Sequence, residues 1–163
     1  MRDAQMSDRL NALEDWAANL LGQLELRPRN ELIRTLGREI LRSQKQRIVA
    51  QQNPDSTPYA PRKKQHVRDK YGRVKRSLKM FKKLNTRRYL KVQGNERLIS
   101  IGFIGRIARI AKVHQFGLRD NANKRGLKTT YKRREILGVT NTDISLVRDS
   151  ILNHLSQAKS KTH

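Results

Sequence analysis

Apolar side chains recur at steps of three and four residues in three stretches of the chain, and this spacing predicts amphipathic helices. The first helix is expected over about residues 8–24, with Ser7 placed to cap its first turn. The second is expected over about 28–51, because Pro28 is compatible with a first helical turn. The third is expected over about 142–155 near the end of the chain.

The apolar pattern of the second helix thins towards its end. Gln44 and Arg47 stand at positions where an apolar side chain would continue the pattern. We therefore expect the last turns of this helix to project from the core.

A different period appears in the middle of the chain. Residues 89–93 and 98–103 read as two strands, and in the second of them apolar and small or polar residues alternate. Gly94 and Asn95 begin the connection between them, which predicts a β-hairpin with one buried face. Residues 129–131 have the composition of a third strand.

A short helix is expected to follow the hairpin. Residues 106–114 repeat apolar positions at helical spacing, and Gly117 is suited to end the helix in a left-handed conformation. Arg119 begins a polar, basic loop that extends to about residue 128.

These elements predict an α+β fold, with N-terminal amphipathic helices and a C-terminal helix around a small antiparallel sheet, together with a basic extended segment. The length of 163 residues fits a single domain over 1–163. We expect its parts to be a helical hairpin (7–52), a Pro-containing loop and partly flexible basic segment (53–88), a region of β-hairpin, short helix, loop and C-terminal helix (89–157), and a frayed tail (158–163).

The loop between the helical hairpin and the basic segment has a distinctive composition. Pro54, Pro58 and Pro61 fix backbone angles and remove hydrogen-bond donors, so a helix cannot continue through them. Tyr59 is the only large side chain of this loop, and we expect it to anchor the loop to the core.

Charge is distributed unevenly along the chain. The formal net charge is +23, but residues 1–40 sum to −1 and residues 135–163 to zero, whereas residues 61–134 carry +22. Like charges at this density repel one another unless an acidic partner opposes them. The middle of the chain is therefore expected to contact DNA or acidic protein surfaces.

The contact candidates are the bases of the densest stretch. They are Arg62, Lys63, Lys64, Arg73, Lys75, Arg76, Lys79, Lys82, Lys83, Arg87 and Arg88. A second basic stripe, formed by Arg34, Arg38, Arg42 and Lys45, runs along the second helix. It fits either an ordinary solvated face or a surface for an acidic partner.

The residues for enzymatic chemistry are sparse. The chain has no cysteine, and its four histidines have no metal-ligand spacing, so we expect no metal site and no cofactor. No nucleophile elbow or phosphate-binding glycine loop is present. Paired carboxylates would have to come from Glu96, Asp120 or Glu135, and nothing in the sequence brings two of these together. We therefore expect the protein not to be an enzyme. No apolar run approaches the roughly 18 residues of a membrane helix, so no membrane contact is expected.

One alternative follows from charge alone. A stand-alone nucleic-acid-binding protein of ribosomal or chromatin type has a similar composition, and Tyr71, Phe81 and Tyr89 are interleaved with the bases where they could stack on nucleobases. No known recognition module is visible, so such binding would be directed mainly to phosphate and would depend steeply on salt.

Two motifs together resemble a known family. The first is the loop Asn53-Pro54-Asp55-Ser56-Thr57-Pro58-Tyr59, and the second is the stretch that ends in His114-Gln115-Phe116-Gly117. With a weaker marker at 134–138, they resemble the tail completion proteins of contractile-tailed temperate phages, the phage virion morphogenesis family. Two positions depart from its pattern: Ser56 stands where the family has Gly, and Arg27 where a capping Ser is usual.

The resemblance implies a non-enzymatic assembly role. It implies action late in tail construction at the head-proximal end, where the tail is finished and joined at the neck to the DNA-filled head. Implied partners are tail terminator or tail tube proteins and head completion or neck proteins, with a homo-oligomeric ring and contact with packaged DNA. The implied location is the tail–neck region of the virion, and the host cytoplasm during assembly.

The motif residues are structural or interface residues in this interpretation. They are Pro54, Tyr59, His114, Gln115, Phe116 and Gly117. The structural interpretation has Phe116 packing in the core, Gly117 turning the chain and His114 bonding to nearby backbone. The other places the second motif at a protein interface.

Overall fold

The computed structural model describes residues 2–22, 26–62, 79–95, 98–121 and 128–160. Four helices lie within these residues: α1 (Arg2–Leu21), α2 (Leu26–Ala50), α3 (Arg106–Phe116) and α4 (Asn141–Ser160). The same part of the chain contains four strands: β1 (Leu90–Gly94), β2 (Ile99–Phe103), β3 (Arg119–Asn121) and β4 (Lys128–Thr130). The prediction of an α+β fold is confirmed.

The strands form two separate two-stranded sheets. β1 pairs with β2 as the predicted hairpin, and the Asn95 amide donates to the Leu98 carbonyl at 2.9 Å where the strands meet the turn. β4 lies where a third strand was expected, but it pairs in antiparallel fashion with β3. The strand β3 was missed because its sequence, Arg-Asp-Asn, has no apolar alternation.

The helices α1 and α4 differ most from their predicted bounds, whereas α2 and α3 differ by one or two residues at an end. α1 begins at Arg2, several residues before the expected cap at Ser7, because residues 2–6 include the good helix formers Ala, Gln and Met. α4 continues to Ser160, so residues 158–160, expected to fray, are helical. Residues 161–163 of the expected tail lie outside the described residues.

The chain divides into two compact units. The first unit comprises residues 1–43, 92–101 and 139–163, and the second comprises 44–91 and 102–138. Each unit is assembled from segments distant in sequence. The prediction of a single domain over 1–163 stays a prediction.

The core of the first unit is built from the predicted apolar stripes. Leu32, Leu36 and Ile151 form its buried centre, where α2 meets α4. Around them pack Trp16, Ala17, Leu20, Leu21, Ile99, Leu146, Val147 and Leu155. This arrangement removes the apolar faces of three helices from water, which is the main favourable term in their folding.

A glycine allows α2 to approach the hairpin within the first unit. A Cβ atom on Gly37 would lie only 2.8 Å from Cγ2 of Val92, too close for a normal contact. Since Val92 is β-branched and stiff, a larger residue at position 37 would push β1 away.

The start of α4 is fixed by a reciprocal cap. The Asp143 amide donates to Oγ1 of Thr140 at 3.1 Å, while Oδ2 of Asp143 accepts from the Thr140 amide at 2.9 Å. The other carboxylate oxygen accepts from the hydroxyl of Ser43 on α2. Asp143 is 2% exposed, so these bonds replace all of its hydration and connect the two helices.

We predict that Asp143→Ala lowers the free energy of unfolding of the first unit by about 2–3 kcal/mol, since it removes a cap and leaves buried donors unpaired. Fluorescence of Trp16, the only tryptophan of the chain, follows urea unfolding of this unit. Asp149→Ala is the matched control, because the Asp149 side chain lies on the same helix and is 62% exposed. Equal stability of the two variants would contradict the prediction.

Candidate functional site

The family motifs meet in the second unit around a segment without regular secondary structure. Residues 131–138, here called the central segment, form neither helix nor strand. Its backbone N–H and C=O groups therefore need partners from elsewhere, because an unpaired buried peptide group is costly. Side chains from three distant parts of the sequence supply them.

Arg134 of the central segment makes the opposite connection, from the segment to the backbone of other parts of the chain. Its side chain is buried, and its guanidinium donates to the carbonyls of Ala60 at 2.7 Å, Pro61 at 3.0 Å and Lys132 at 3.2 Å. The Arg134 amide donates to the carbonyl of His114 at 2.7 Å. One arginine thus connects the end of the proline loop, the central segment and α3.

The charge of Arg134 is held by carbonyl dipoles, with no carboxylate in an ion pair within the described residues. Burial, followed by the nearby charge of Arg62, lowers the pKa of the Arg134 guanidinium. An arginine nevertheless stays protonated in proteins. Its fixed fork of donors suits several carbonyls at once, which a lysine ammonium cannot match.

Arg47 and Gln44 of α2 hold the other end of the central segment. Arg47 donates to the carbonyls of Gly138 at 3.0 Å and Ile136 at 3.2 Å. The amide oxygen of Gln44 accepts from Arg47 at 2.6 Å and from the Gly138 amide at 3.2 Å. Both side chains are buried, so the prediction that this end of α2 projects from the core was wrong. Their polar character reflects the peptide groups they bind.

Gln115 of the second motif pairs with the central segment as a neighbouring strand would. Its side-chain amide donates to the Leu137 carbonyl at 2.7 Å and accepts from the Leu137 amide at 3.0 Å. Asn53 of the first motif has a similar role, because its Oδ1 accepts from the Glu135 amide at 2.9 Å. Each motif therefore supplies one amide side chain to the same segment.

The proline loop closes on itself before it meets this segment. The Asn53 amide donates to the Thr57 carbonyl at 2.8 Å, and the Tyr59 amide donates to Gln51 at 2.7 Å. Ser56 has φ of 66°, a left-handed conformation that explains why Gly suits this position. A Cβ atom on Gly138 would lie 2.4 Å from Cγ of Pro54, so Pro54 packs directly on the central segment.

Four rings form a row beside Arg134. Tyr59 contacts Phe81 with ring centroids 5.5 Å apart, Phe81 contacts His114 at 5.0 Å, and His114 contacts Tyr131 at 4.9 Å, all edge to face. Tyr59 is buried, which confirms that it anchors the loop. Burial raises its pKa to about 12.

His114 is neutral at pH 7 in this environment. Burial, followed by the charges of Arg134 and Arg62, lowers its pKa to about 4. Its Nδ1 lies 3.2 Å from Nη1 of Arg134, so the neutral ring accepts there. The expected bond to nearby backbone is made by its main-chain carbonyl, whereas the ring contacts the guanidinium and two aromatic neighbours.

The last two motif residues have different surroundings. Gly117 ends α3 with φ of 66° and ψ of 38°, which confirms that it turns the chain. Phe116 is 61% exposed, so the prediction that it packs in the core was wrong. Because α3 ends at Phe116, the helix presents this ring to solvent while Gln115 binds the central segment.

The second unit also carries exposed bases, of which Arg62 lies near Arg134 and His114. Six contact candidates are described and exposed: Arg62, Lys79, Lys82, Lys83, Arg87 and Arg88. None makes an ion pair with a carboxylate of the described residues, and Arg88 lies 5.6 Å from the centroid of the Tyr89 ring. The remaining candidates lie outside the described residues: Lys63, Lys64, Arg73, Lys75 and Arg76.

The basic stripe of α2 lies in the first unit for most of its length. Arg34 and Arg38 line an open groove of about 810 Å³ whose apolar walls include Ile33 and Val92. Glu31 also lines this groove and reduces its positive charge. The groove is thus compatible with either interpretation of the stripe.

The carboxylates considered for acid–base chemistry have structural partners. Asp120 pairs with Arg109, and Glu135 pairs with Arg133 at 2.9 Å. A hydrogen bond from the Asn121 amide, followed by that from Arg109, lowers the pKa of the Asp120 carboxyl. Glu96 lies outside the described residues.

Metal-binding clusters and membrane spans are both absent from the described part of the chain. It contains no group of three or more histidine, aspartate or glutamate side chains arranged to hold a metal. Its helices include none with the length and apolar character of a membrane span.

Comparison with known proteins agrees with the two motifs. Residues 8–156 match the phage virion morphogenesis family, and the chain belongs to this family. Tail completion protein S of Escherichia phage P2 is 42% identical over 145 residues, which cover 88% of this chain and 95% of that protein. No solved structure matches the chain significantly.

We predict that Arg134→Lys lowers the free energy of unfolding by about 3 kcal/mol, because one ammonium cannot satisfy the carbonyls that the guanidinium binds. Arg133→Lys is the matched control, since Arg133 is the exposed neighbour. Urea unfolding followed by far-ultraviolet circular dichroism measures both. A loss below about 1 kcal/mol for Arg134→Lys would show that the fork is dispensable.

We also predict that acid weakens the fold through His114. Its pKa is about 4 when folded and about 6.5 when unfolded, so between these values the unfolded chain binds the extra proton. This contribution to stability is complete above about pH 6.5 and declines as the pH falls towards 4. Urea unfolding of His114→Phe should show a shallower decline than the native chain over this range. Identical pH dependence of the two proteins would refute the assignment.

Proposed function

We propose that this protein is a tail completion protein that acts late in phage tail assembly. The observation that carries the proposal is its 42% identity to tail completion protein S of phage P2 over nearly the whole length of both chains. Coverage of 95% of that protein means that its segments have counterparts here. The similarity therefore supports a role for the whole chain in tail completion, and not only for one part of it.

The proposed place of action is the head-proximal end of the tail. There the protein finishes the tail and enables joining to the DNA-filled head at the neck, in contact with tail terminator or tube proteins and with head completion or neck proteins. A homo-oligomeric ring suits this position, because a component on a symmetric axis closes through a heterologous interface. We place the protein in the tail–neck region of the virion, after assembly in the host cytoplasm.

The proposed role is non-enzymatic. The contacts of the polar side chains in the second unit support this role. Arg134, Arg47 and Gln115 bind backbone groups, and the carboxylates of Asp120 and Glu135 form ion pairs with arginines. These groups position the chain. They do not converge as a nucleophile with an adjacent base, which acid–base or covalent catalysis requires.

The exposed bases are the proposed contact surface for acidic proteins or packaged DNA. Lys79, Lys82 and Lys83 lie close together in sequence, are exposed, and make no ion pair within the described residues. A surface of unpaired positive charge gains most from an anionic partner, and its contribution falls as salt rises.

Complementation of a phage that lacks the gene tests the proposal. We predict that the deletion produces unfinished tails and unjoined heads in electron micrographs, and that the native gene restores the infectious titre. Simultaneous Lys→Glu changes at 79, 82 and 83 should restore it at least tenfold less well, because they reverse the contact charge.

The control is the same triple change at Lys91, Lys128 and Lys132, which are also exposed and alter the net charge equally. It should complement nearly as well as the native gene. Normal tails joined to heads in the deletion would overturn the proposed function. Equal titres from the two triple variants would overturn only the contact surface.

A further inference from the structure

The second unit exposes an aromatic ring beside an apolar cavity. Phe116 is 61% exposed, although the chain as a whole is strongly polar, with a mean hydropathy of −0.83. Phe116 also borders the cavity, so the exposed ring and the apolar walls form one continuous apolar surface. An exposed apolar surface on a strongly polar protein marks an interaction site.

The open depression next to Phe116 has a volume of about 310 Å³ and is here called the α3 pocket. Its walls come from β2, α3 and the central segment: Phe103, Ala108, Ala111, Lys112, Gln115, Phe116 and Leu137. The space exists because Ala108 and Ala111 are small where a longer side chain would fill it. A cavity of this size accommodates one large apolar side chain, the usual anchor of a protein interface.

The pocket is built on a fixed wall. The backbone of Leu137 forms two hydrogen bonds with the side chain of Gln115, which donates one and accepts the other. Gly117 fixes the end of the helix that carries Phe116. A partner therefore meets a surface whose backbone is already positioned, which lowers the entropic cost of binding. The His-Gln-Phe-Gly motif thus has three residues that position the chain and one that faces outward.

Charge at the pocket indicates the chemistry of the occupant. Lys112 lines the pocket and is exposed, so it places a positive charge at the rim. It makes no ion pair within the described residues, and no carboxylate of that part of the chain lines the pocket. A partner with carboxylates around its apolar anchor complements this rim.

The two other classes of occupant fit less well. The corresponding region of a second copy, residues 61–134, carries a charge of +22 and would be repelled at a basic rim, so the proposed ring would close through other surfaces. Nucleic acid gains little from alanine, leucine and phenylalanine walls, because its affinity comes mainly from phosphate contacts.

We propose that the α3 pocket is a docking site for a different, acidic protein. The partner inserts one large apolar side chain beside Phe116 and places a carboxylate against Lys112. The inference rests on the proposed function only in taking a virion assembly protein as the source of that partner.

Site-specific photo-cross-linking in phage-producing cells tests this docking site. The chain carries p-benzoylphenylalanine in place of Phe116 and is the sole copy in the cell. After irradiation, we expect a covalent adduct with another protein, mapped by mass spectrometry to a peptide with a large apolar residue among Asp and Glu. The same photoreactive group in place of Leu152, which is 48% exposed on α4, should give at least fivefold less of it.

Charge reversal tests the rim. Lys112→Glu, added to the photoreactive chain, should lower the yield of the adduct at least fivefold, whereas Lys91→Glu should leave it within twofold. Both lysines are exposed, and circular dichroism of the purified variants checks that they fold alike.

Several results would overturn the docking site: an adduct between two copies of this chain, an adduct with nucleic acid, equal yield at positions 116 and 152, no adduct, or no effect of Lys112→Glu. The deletion phenotype is read separately. An acidic-protein adduct together with normal tails in the deletion would retain the docking site and reject the proposed function. Defective tails without the adduct would do the reverse.

Discussion

The second unit depends on the satisfaction of the peptide groups of the central segment. Residues 131–138 have neither helix nor sheet to pair their N–H and C=O groups, yet Arg134 and Ile136 are buried there. Each buried peptide group left unpaired would cost on the order of 1–3 kcal/mol. Gln44, Asn53 and Gln115 supply the missing partners from separate parts of the chain. Loss of one of these side chains therefore affects a segment far from it in sequence.

Buried arginine side chains satisfy several of these backbone carbonyls at once. Arg47 and Arg134 each bind several carbonyls with one rigid group. At Arg134 the carbonyl dipoles stabilise the positive charge, since no carboxylate of the described residues forms an ion pair with it. The row of rings from Tyr59 to Tyr131 meets this region at His114, whose ring contacts the Arg134 guanidinium. A neutral His114 is part of the same arrangement, since a second cation beside Arg134 would be strongly unfavourable.

In the second unit, the residues that position the chain are different from the residues that are exposed to partners. Pro54, Tyr59 and Gln115 face the interior of the second unit, whereas Phe116 and the exposed lysines face solvent. Membership of the phage virion morphogenesis family gives this division a context, because an assembly protein needs a stable frame that presents surfaces to its neighbours.

Local patterns in the sequence were sufficient to predict most of the helices and the hairpin. The helical period located α1, α2 and α4, the alternation in 98–103 located the hairpin, and Gly117 marked the end of α3, because these signals act within a few residues. The two motifs also identified the family, since each is a short run of neighbouring residues.

The tertiary structure was needed to explain why some polar side chains are buried and one large apolar side chain is exposed. Gln44 and Arg47 read as a thinning apolar face, but they are buried because the peptide groups they bind come from residues 136–138. Phe116 was predicted to be a core residue, yet it is exposed. At this point α3 contacts the central segment through the side chain of Gln115 instead. Such contacts join residues distant in sequence, and no local period records them.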